Sequence, residues 1–175
     1  LIYIDRAGSI DYPAVERAAT RERLLKAYVW DCEATLSFRL PVCSVERGMY
    51  IGKTVTIIDL SEFKLGNFDA ATRSYLKEIA SLSQDNYPEL LAKMFIVNAP
   101  WIFKTVWNFV SPMLDKRTRE KIGIYGGQKE FLPKVLEVID KDVLPEFLGG
   151  TDKTCDFVVE KGSWVHQMPV MDTSV

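Results

Sequence analysis

The apolar and polar positions of this chain alternate between short β-branched blocks and longer segments with helical spacing. The short apolar blocks, each predicted to be a strand, are residues 1–4, 54–60, 94–97 and 122–125. Between them, apolar side chains recur three or four positions apart, for example at Leu25 and Val29, and this spacing predicts amphipathic helices. Strands that alternate with helices predict an α/β fold whose strands are joined by crossover connections.

Helices are predicted where helical spacing follows a capping side chain or a proline. Thr20 is a predicted N-cap for a helix that continues through Leu40. The other predicted helical segments are a short piece from Tyr12 and residues 66–86, 87–93, 115–121, 128–139 and 144–150. Residues 41–52 are predicted to be irregular, and residues 162–169 to be a loop anchored by Trp164.

The least polar stretch of the chain is residues 94–114, in which Lys104 is the only ionisable side chain. By length alone it is a candidate transmembrane helix, because about 20 apolar residues cross a bilayer. Pro100 argues against one continuous helix, since proline fixes φ and the residue before it avoids the α region. The stretch is therefore predicted to contain a buried strand, a turn, and a helix over residues 101–110.

The helix predicted over residues 101–110 is apolar around most of its circumference. Its polar side chains Lys104, Asn108 and Ser111 share one narrow stripe, and aromatic or aliphatic side chains cover the rest. Such a helix is either buried on several sides or faces something other than water. Its aromatic side chains also suit a membrane interface, where such rings are enriched. A core helix and a lipid-facing element both remain open on these residues alone.

Composition narrows the class of protein. The 175 residues are 47% hydrophobic, which favours one domain with a substantial core. The formal net charge is −2, from 22 basic and 24 acidic residues, so the chain lacks the concentrated basic charge typical of nucleic-acid-binding proteins. Because the chain begins at Leu1 and not at methionine, we expect it to be part of a longer protein. Its first residues are typical of a strand and not of a signal peptide.

The cysteines and the histidine indicate neither a metal site nor catalysis. Cys32, Cys43 and Cys155 are widely spaced, and the only histidine is His166. This pattern argues against a structural zinc site and favours a reducing cytosolic compartment. His166 is expected to be a surface residue, so the chain offers no cluster of acid and base from which to build a small-molecule enzyme.

Two pairs of polar side chains are expected to lie close together if these segments are strands of a parallel sheet. Glu89 and Lys121 each precede a predicted strand, so parallel strands would place an acid and an ammonium at one sheet edge. Thr54 and Thr56 project to one face of a buried strand, because strand side chains alternate. Their hydroxyl groups need partners, which are either neighbouring backbone groups or a polar ligand in a cavity.

Seven short motifs, taken together and in order, make a family recognisable. They are FRLPVCS at 38–44, TIIDL at 56–60, DNYPE at 85–89, MFIVNAP at 94–100, LD at 114–115, KI at 121–122 and LPEFLGG at 144–150. Over about residues 1–160 the chain resembles the lipid-binding domain of CRAL-TRIO proteins, and specifically the phosphatidylinositol/phosphatidylcholine transfer branch. The combination at these distances is specific, whereas any one motif alone is not.

The resemblance implies a CRAL-TRIO-like α/β fold. In that fold a mixed β-sheet, flanked by helices, is the floor of a hydrophobic lipid pocket, and a mobile gate helix crosses the mouth. The gate would be the helix after Pro100, which accounts for its apolar character. The residues of the gate and acyl pocket would be Trp101, Phe103, Val106, Trp107, Phe109 and Val110.

The resemblance also implies which residues hold the inositol headgroup. These are Glu89 of the YPE motif and Lys121 before the last strand, with a contribution from Thr118. The family's N-terminal helical region, whose basic residues help to hold the phosphate, is absent from these 175 residues. A reduced headgroup affinity is therefore expected of this chain alone.

A second headgroup site, for phosphatidylcholine, is implied deeper in the pocket at Thr54, Thr56 and Tyr3. The chain departs from the family there. Cys32 replaces a tyrosine of the phosphatidylcholine binders, and a thiol cannot complete an aromatic cage around a choline cation. Thr54 replaces the more usual serine, which is a milder change. Phosphatidylinositol binding is therefore better supported than phosphatidylcholine binding.

The expected function is cytosolic lipid binding and transfer, with phosphatidylinositol as ligand and possible exchange for a second lipid such as phosphatidylcholine. The alternative is a lipid-regulated protein-interaction or lipid-presenting module in signalling. The bound phospholipid is the expected ligand, with no metal or other cofactor and no catalysis. We expect a monomer that meets Golgi or endosomal membranes transiently and binds no nucleic acid. Residues 1–160 are the predicted lipid-binding domain and residues 161–175 a C-terminal extension.

Overall fold

The structure, a computed structural model, describes residues 1–153, in which four parallel strands form one sheet in the order of the chain. The strands are β1 (Ile2–Asp5), β2 (Thr54–Asp59), β3 (Leu91–Val97) and β4 (Ile122–Ile124). Adjacent parallel strands need crossover connections, and helices lie in each of the three connections. The predicted α/β class, with a sheet flanked by helices, is confirmed.

Residues 1–135 form one compact unit, and a second unit begins at Leu136. The α-helices of the first unit are α1 (Tyr12–Ala18), α2 (Arg21–Ala34), α3 (Leu40–Arg47), α4 (Ala70–Asn86), α5 (Phe103–Val110), α6 (Lys116–Glu120) and α7 (Gln128–Val135). Thr20 caps α2 as predicted, since its hydroxyl oxygen accepts the Arg23 N–H at 3.3 Å.

The segment after α2 differs from the prediction of one helix through Leu40 followed by irregular chain. Thr35–Arg39 form a π-helical turn, and α3 follows it directly. The wider turn places Pro41 in the first turn of α3, where a missing N–H breaks no helical hydrogen bond. Gly48 then ends α3 at φ +62°, a left-handed conformation that glycine adopts without steric cost.

The ends of α4 and β3 also differ from the prediction. α4 begins after residues 66–67 and not at them, because the Asp69 carboxylate caps its first turn. The short helix predicted over residues 87–93 is instead a turn followed by the first half of β3. The ladder with β2 extends the strand, since it pairs Lys93 with Val55. This pairing joins residues far apart in sequence, so local spacing did not reveal it.

The helix predicted over residues 128–139 is shorter in the structure. α7 ends at Val135, two residues after Pro133, which lies inside the helix and has no N–H to donate. In the second unit, Glu146–Leu148 form a short 3-10 turn that Gly149 ends at φ +89°. This confirms the predicted glycine stop.

Some predictions fall on residues that the structure does not describe. The loop at residues 162–169, the extension over residues 161–175, Cys155 and His166 lie outside the described residues.

The two faces of the sheet bury different side chains. On the opposite face from α5, Ile57, Phe95 and Val97 are fully buried. The other face, here called the α5 face, carries side chains that the ladder aligns across the strands: Thr56, Ile58, Met94, Ile96, Ile122 and Ile124. Phe103 and Val106 of α5 pack on this face in a buried cluster with Leu60 and Ile96. One part of the core of the first unit therefore lies directly beneath α5, and another part lies on the opposite face of the sheet.

Candidate functional site

Three charged side chains meet at the edge of the sheet where the parallel strands begin. Lys53 directly precedes β2, Lys121 directly precedes β4, and Glu89 lies in the turn before β3. The Lys121 Nζ lies 3.2 Å from Glu89 Oε2, and the Lys53 Nζ lies 3.2 Å from the same oxygen. The structure thus brings Glu89 and Lys121 together, as expected from parallel strands, and adds Lys53. We call these three residues the charged cluster.

The turn that carries Glu89 has an unusual backbone conformation. Glu89 has a φ of +65°, which is uncommon for residues other than glycine. The turn is held from one side by Tyr87, whose N–H donates to the Ser83 carbonyl at 2.9 Å and whose hydroxyl donates to Glu33 at 2.8 Å. Such a conformation persists only where its surroundings fix it, and it is most common at functional sites.

The charged cluster is open to solvent and carries one excess positive charge. The exposed fractions of the Glu89, Lys53 and Lys121 side chains are 53%, 49% and 23%. Hydrogen bonds from Lys121 and then Lys53, followed by the charges of both, lower the pKa of Glu89. Glu89 is therefore held as a carboxylate, which accepts hydroxyl donors, while the two ammonium groups can donate to phosphate oxygens.

Thr118 does not join this cluster through its side chain. Its hydroxyl donates to Asp115 Oδ2 at 2.5 Å, and its N–H donates to Asp115 Oδ1 at 2.9 Å. The N–H contact caps α6, and both contacts lower the pKa of Asp115, with a smaller effect from the charge of Lys121. Thr118 meets Lys121 through the backbone, because its carbonyl accepts the Lys121 N–H at 3.1 Å.

Of the residues predicted for a second headgroup, two lie side by side and one is engaged elsewhere. The β1–β2 register pairs Tyr3 with Thr56, so both project to the α5 face. The Thr54 side chain is buried, and its hydroxyl donates to the Leu90 carbonyl at 3.4 Å. For Thr54, the backbone is therefore the partner. The pKa of Tyr3 is raised, mainly by burial and then by the charge of Asp31.

The helix predicted over residues 101–110 begins two residues later, as α5. The Phe103 N–H donates to the Pro100 carbonyl at 2.8 Å, so residues 101–102 form a turn. Phe103 and Val106 are buried beneath the helix, and Lys104, Thr105 and Asn108 are exposed on its outer side. Trp107, Phe109 and Val110 are half-buried along its flanks.

Trp101 is the exception among the apolar side chains of this segment, because 88% of it is exposed. It borders an open cleft of about 250 Å³ that Lys104, Trp107 and Tyr125 also line. The burial of Phe103 and Val106 fits a helix packed on the core, and the lipid-facing role stays a prediction. The helix packs one face on the core, and the turn before it presents an indole to the outside.

Both ends of the α5 segment are anchored by side chains to which sequence reasoning gave no role. Before α5, the Asn98 amide donates to the buried Asp59 carboxylate at 2.8 Å. After α5, Gln84 donates to the Met113 carbonyl at 2.7 Å and accepts the Asp115 N–H at 3.1 Å. A buried carboxylate needs donors, so Asp59 at the end of a buried strand was the available signal for the first anchor.

Lys53 is the other residue that sequence reasoning missed. Like Glu89 and Lys121, Lys53 lies where a strand begins, because it directly precedes β2. Only the neighbouring order of β2, β3 and β4 in the sheet shows that all three meet.

Comparison with known proteins decides which kind of domain has this geometry. Residues 1–150 match the family model of the CRAL/TRIO domain. The chain belongs to the CRAL/TRIO domain family. This CRAL/TRIO chain is 35% identical over 167 residues to the phosphatidylinositol/phosphatidylcholine transfer protein SFH12 of Arabidopsis thaliana, in a match covering 93% of the chain and 30% of that protein. It is 34% identical over 149 residues to the Sec14 cytosolic factor of Schizosaccharomyces pombe, in a match covering 85% of the chain and 51% of that protein.

A solved structure supports the same CRAL/TRIO assignment. The crystal structure of Sfh5 matches with a TM-score of 0.51 and 26% sequence identity, over 59% of this chain and 34% of that one. The predicted family is thus confirmed. The CRAL/TRIO chain spans about 30% to 51% of the length of the two curated relatives.

Two negative findings apply to the described part of this CRAL/TRIO chain. In residues 1–153, each helix is too short or too polar to pass through a bilayer. Within the same residues, His, Cys, Asp and Glu side chains form no group of three or more that could hold a metal ion.

Proposed function

We propose that this chain binds one phosphatidylinositol molecule, shields its acyl chains and transfers it between membranes. The charged cluster carries this proposal, because it joins a carboxylate and two ammonium groups beside an apolar sheet face. The Met94 N–H donates to the Lys121 carbonyl at 2.9 Å, so the cluster is continuous with the α5 face. A polar headgroup at the cluster would direct its acyl chains along that face. Relatives named as phosphatidylinositol/phosphatidylcholine transfer proteins support the same ligand.

The proposal divides the binding energy between two parts of the lipid. Burial of acyl chains supplies affinity, at about 0.8 kcal/mol for each methylene group. The charged cluster supplies selectivity, since Glu89 can accept from inositol hydroxyls and the lysines can donate to the phosphate. Tyr3 and Thr56 are proposed as contacts to a second lipid headgroup such as phosphocholine. Thr54 and Thr118 are proposed to support the two sites through their hydrogen bonds to Leu90 and Asp115.

Uptake requires α5 to move in this proposal. Phe103 and Val106 occupy the space against Leu60 and Ile96 that acyl chains would take. The anchors before and after α5 would remain in place while the helix lifts from the sheet. We therefore propose residues 101–110 as the gate, with Trp101 as its first contact with a membrane.

We propose further that residues 1–160 form the lipid-binding domain and residues 161–175 an extension. The domain would work as a monomer from the cytosol, with its phospholipid as the only ligand, on Golgi or endosomal membrane surfaces. The relative named as a cytosolic factor supports the cytosol as the location. Transfer needs no bond to be made or broken, so we propose no catalytic role.

A transfer assay tests the proposal. Labelled phosphatidylinositol in donor phosphatidylcholine vesicles would be transferred to unlabelled vesicles by the chain, and Lys121→Ala would lower the rate without a matching fall in Tm. Lys116→Ala is the matched control, because Lys116 also pairs with a glutamate but is 84% exposed on α6. Equal transfer by wild type and Lys121→Ala would contradict the assignment of this site. Native mass spectrometry that finds no lipid, together with no uptake from vesicles, would favour an interaction module instead.

A further inference from the structure

Lys53 occupies a position that sets the charge of the candidate headgroup site. It directly precedes the central strand β2, and its Nζ reaches the same Glu89 Oε2 that Lys121 reaches, each at 3.2 Å. Glu89 and Lys121 alone would sum to zero charge, whereas the three groups together sum to +1. In the described part of the chain, both contacts fall on Oε2 and neither on Oε1. The second carboxylate oxygen can therefore accept from a ligand hydroxyl while both lysines stay bound.

We propose that Lys53 is a specificity-determining residue, which makes the site prefer an anionic inositol phospholipid to a zwitterionic one. This inference rests on the proposed lipid-binding function and adds to it the residue that selects the headgroup. The excess charge of +1 matches the single negative charge of a phosphatidylinositol phosphodiester. Phosphatidylcholine has no net charge, and at this cluster its choline group would bring a third cation beside the two lysines, so we expect its headgroup at the separate Tyr3 and Thr56 site.

The exposure of the charged cluster indicates that Lys53 contributes little to the stability of the fold and is accessible to a ligand. Ion pairs between half-exposed side chains stabilise a fold weakly, by about 0–1 kcal/mol. Lys53 is 49% exposed, so its contact with Glu89 is not expected to hold the strands together. The same exposure leaves the ammonium accessible to a ligand phosphate. It also makes the preference sensitive to salt, because exposed charges are screened over about 10 Å at 0.1 M ionic strength.

A competition experiment measures the preference directly. The 175-residue chain is incubated with vesicles of equal phosphatidylinositol and phosphatidylcholine content, re-isolated, and its bound lipids are quantified by mass spectrometry. We expect Lys53→Gln to lower the phosphatidylinositol-to-phosphatidylcholine ratio by about twofold to fivefold, the range expected for one half-exposed charge. Lys53→Arg keeps the charge and should keep the ratio. Lys116→Gln removes an exposed lysine from α6 and should leave the ratio unchanged.

Each outcome decides the inference. A ratio that falls with Lys53→Gln, recovers with Lys53→Arg and weakens at high salt supports it, provided that each variant keeps the wild-type Tm. An unchanged ratio in Lys53→Gln overturns it while leaving lipid binding intact, and so does an equal fall in Lys116→Gln. If the wild-type chain takes up neither lipid, the proposed function fails, and this inference fails with it.

Discussion

The side-chain amide of Asn98 donates to the Asp59 carboxylate at 2.8 Å and joins the ends of the two central strands. Asp59 is 2% exposed and also accepts the N–H of Ser61 at 2.9 Å and its hydroxyl at 2.8 Å. Asn98 has a φ of +54°, a left-handed conformation that asparagine tolerates better than most residues. The pair therefore satisfies a buried charge and fixes the direction in which the chain leaves β3 towards α5.

Asn98→Ala is expected to destabilise the fold by about 2–3 kcal/mol. It removes a hydrogen bond to a buried carboxylate, which contributes about 1.5–3 kcal/mol, and places alanine in a left-handed conformation. Urea denaturation would give the free energy of unfolding. Asn108→Ala is the control, because Asn108 is exposed on α5 and alanine there should stabilise the helix by less than about 0.7 kcal/mol. A loss in Asn98→Ala below about 0.5 kcal/mol would contradict the assigned contact.

Local patterns predicted the strands and the approach of Glu89 to Lys121. The β-branched blocks are short and apolar, so strand positions could be read directly from the sequence. Once parallel strands are assumed, residues that precede them must lie at one edge. For the single pair of Glu89 and Lys121, this placement follows without knowing the order of the strands in the sheet.

Other features depend on contacts between distant residues, which a local pattern cannot show. Lys53 joins Glu89 only because β2 lies beside β3 in the sheet. The helix after residue 34 continues through Pro41 because a π-helical turn shifts the hydrogen-bond register, and no residue type marks that turn. Thr118 resembles a ligand residue in sequence, and in the fold its hydroxyl donates to Asp115, the N-cap of α6. In each case the contact forms only in the folded chain, and the spacing of residues along the sequence does not reveal it.

The stability contributed by Glu89 should disappear in acid. Its pKa is lowered from 4.5 by Lys121 and Lys53, so its contribution is present above pH 4.5 and is lost as pH falls through the lower folded value. Glu89→Gln keeps the side-chain shape at this positive φ and removes the charge. The difference in Tm between wild type and Glu89→Gln should therefore shrink as the pH is lowered from 7 towards 3.

Glu62→Gln is a control for the Glu89 experiment, since Glu62 is another exposed glutamate at positive φ, +68°, outside the charged cluster. The effect specific to the cluster is the difference between the two variants. A Tm difference for Glu89→Gln that stays constant across the acid range would refute the proposed ion pairing.

Tyr28 should make the fold sensitive to alkali. Burial raises the pKa of Tyr28 from 10.0 to about 12, although its hydrogen bond with the Ser83 hydroxyl, at 2.5 Å, acts in the opposite direction. As the pH rises, the Tyr28 phenol therefore ionises first in the unfolded chain. The stability that the neutral phenol contributes is present below pH 10 and is lost as the pH rises towards 12. Tyr28→Phe should be less stable at pH 7 by about 1 kcal/mol, for loss of the hydrogen bond, and this gap should narrow in alkali.

Denaturant titrations at neutral and alkaline pH would measure the gap for Tyr28→Phe. Tyr50→Phe is the matched control, because 89% of the Tyr50 side chain is exposed and its hydroxyl meets water in both states. A gap for Tyr28→Phe that is the same at both pH values would mean that burial does not control this phenol.

Substitutions at Trp101 and Phe103 should affect different properties of the proposed gate: membrane binding at Trp101 and fold stability at Phe103. Phe103 is buried on the α5 face and packs edge-on against Phe63 at 5.9 Å, so Phe103→Ala should destabilise the fold by about 3–5 kcal/mol. Trp101 is 88% exposed, so Trp101→Ala should change stability by less than about 0.5 kcal/mol. Its indole would enter the bilayer interface, and its loss should weaken vesicle binding by about tenfold to a hundredfold, since burying a large apolar side chain contributes about 1.5–3 kcal/mol.

Trp30→Ala is the control for the vesicle experiment. Trp30 is the other exposed indole among the described residues, at 56%, and it lies on α2 and not beside α5. Sedimentation with phosphatidylcholine vesicles would give the bound fraction of each variant. Weaker binding in Trp101→Ala alone places the membrane contact at the start of the gate. Equal weakening in both variants would show that any exposed indole suffices, and the proposed gate would then have no special role in membrane contact.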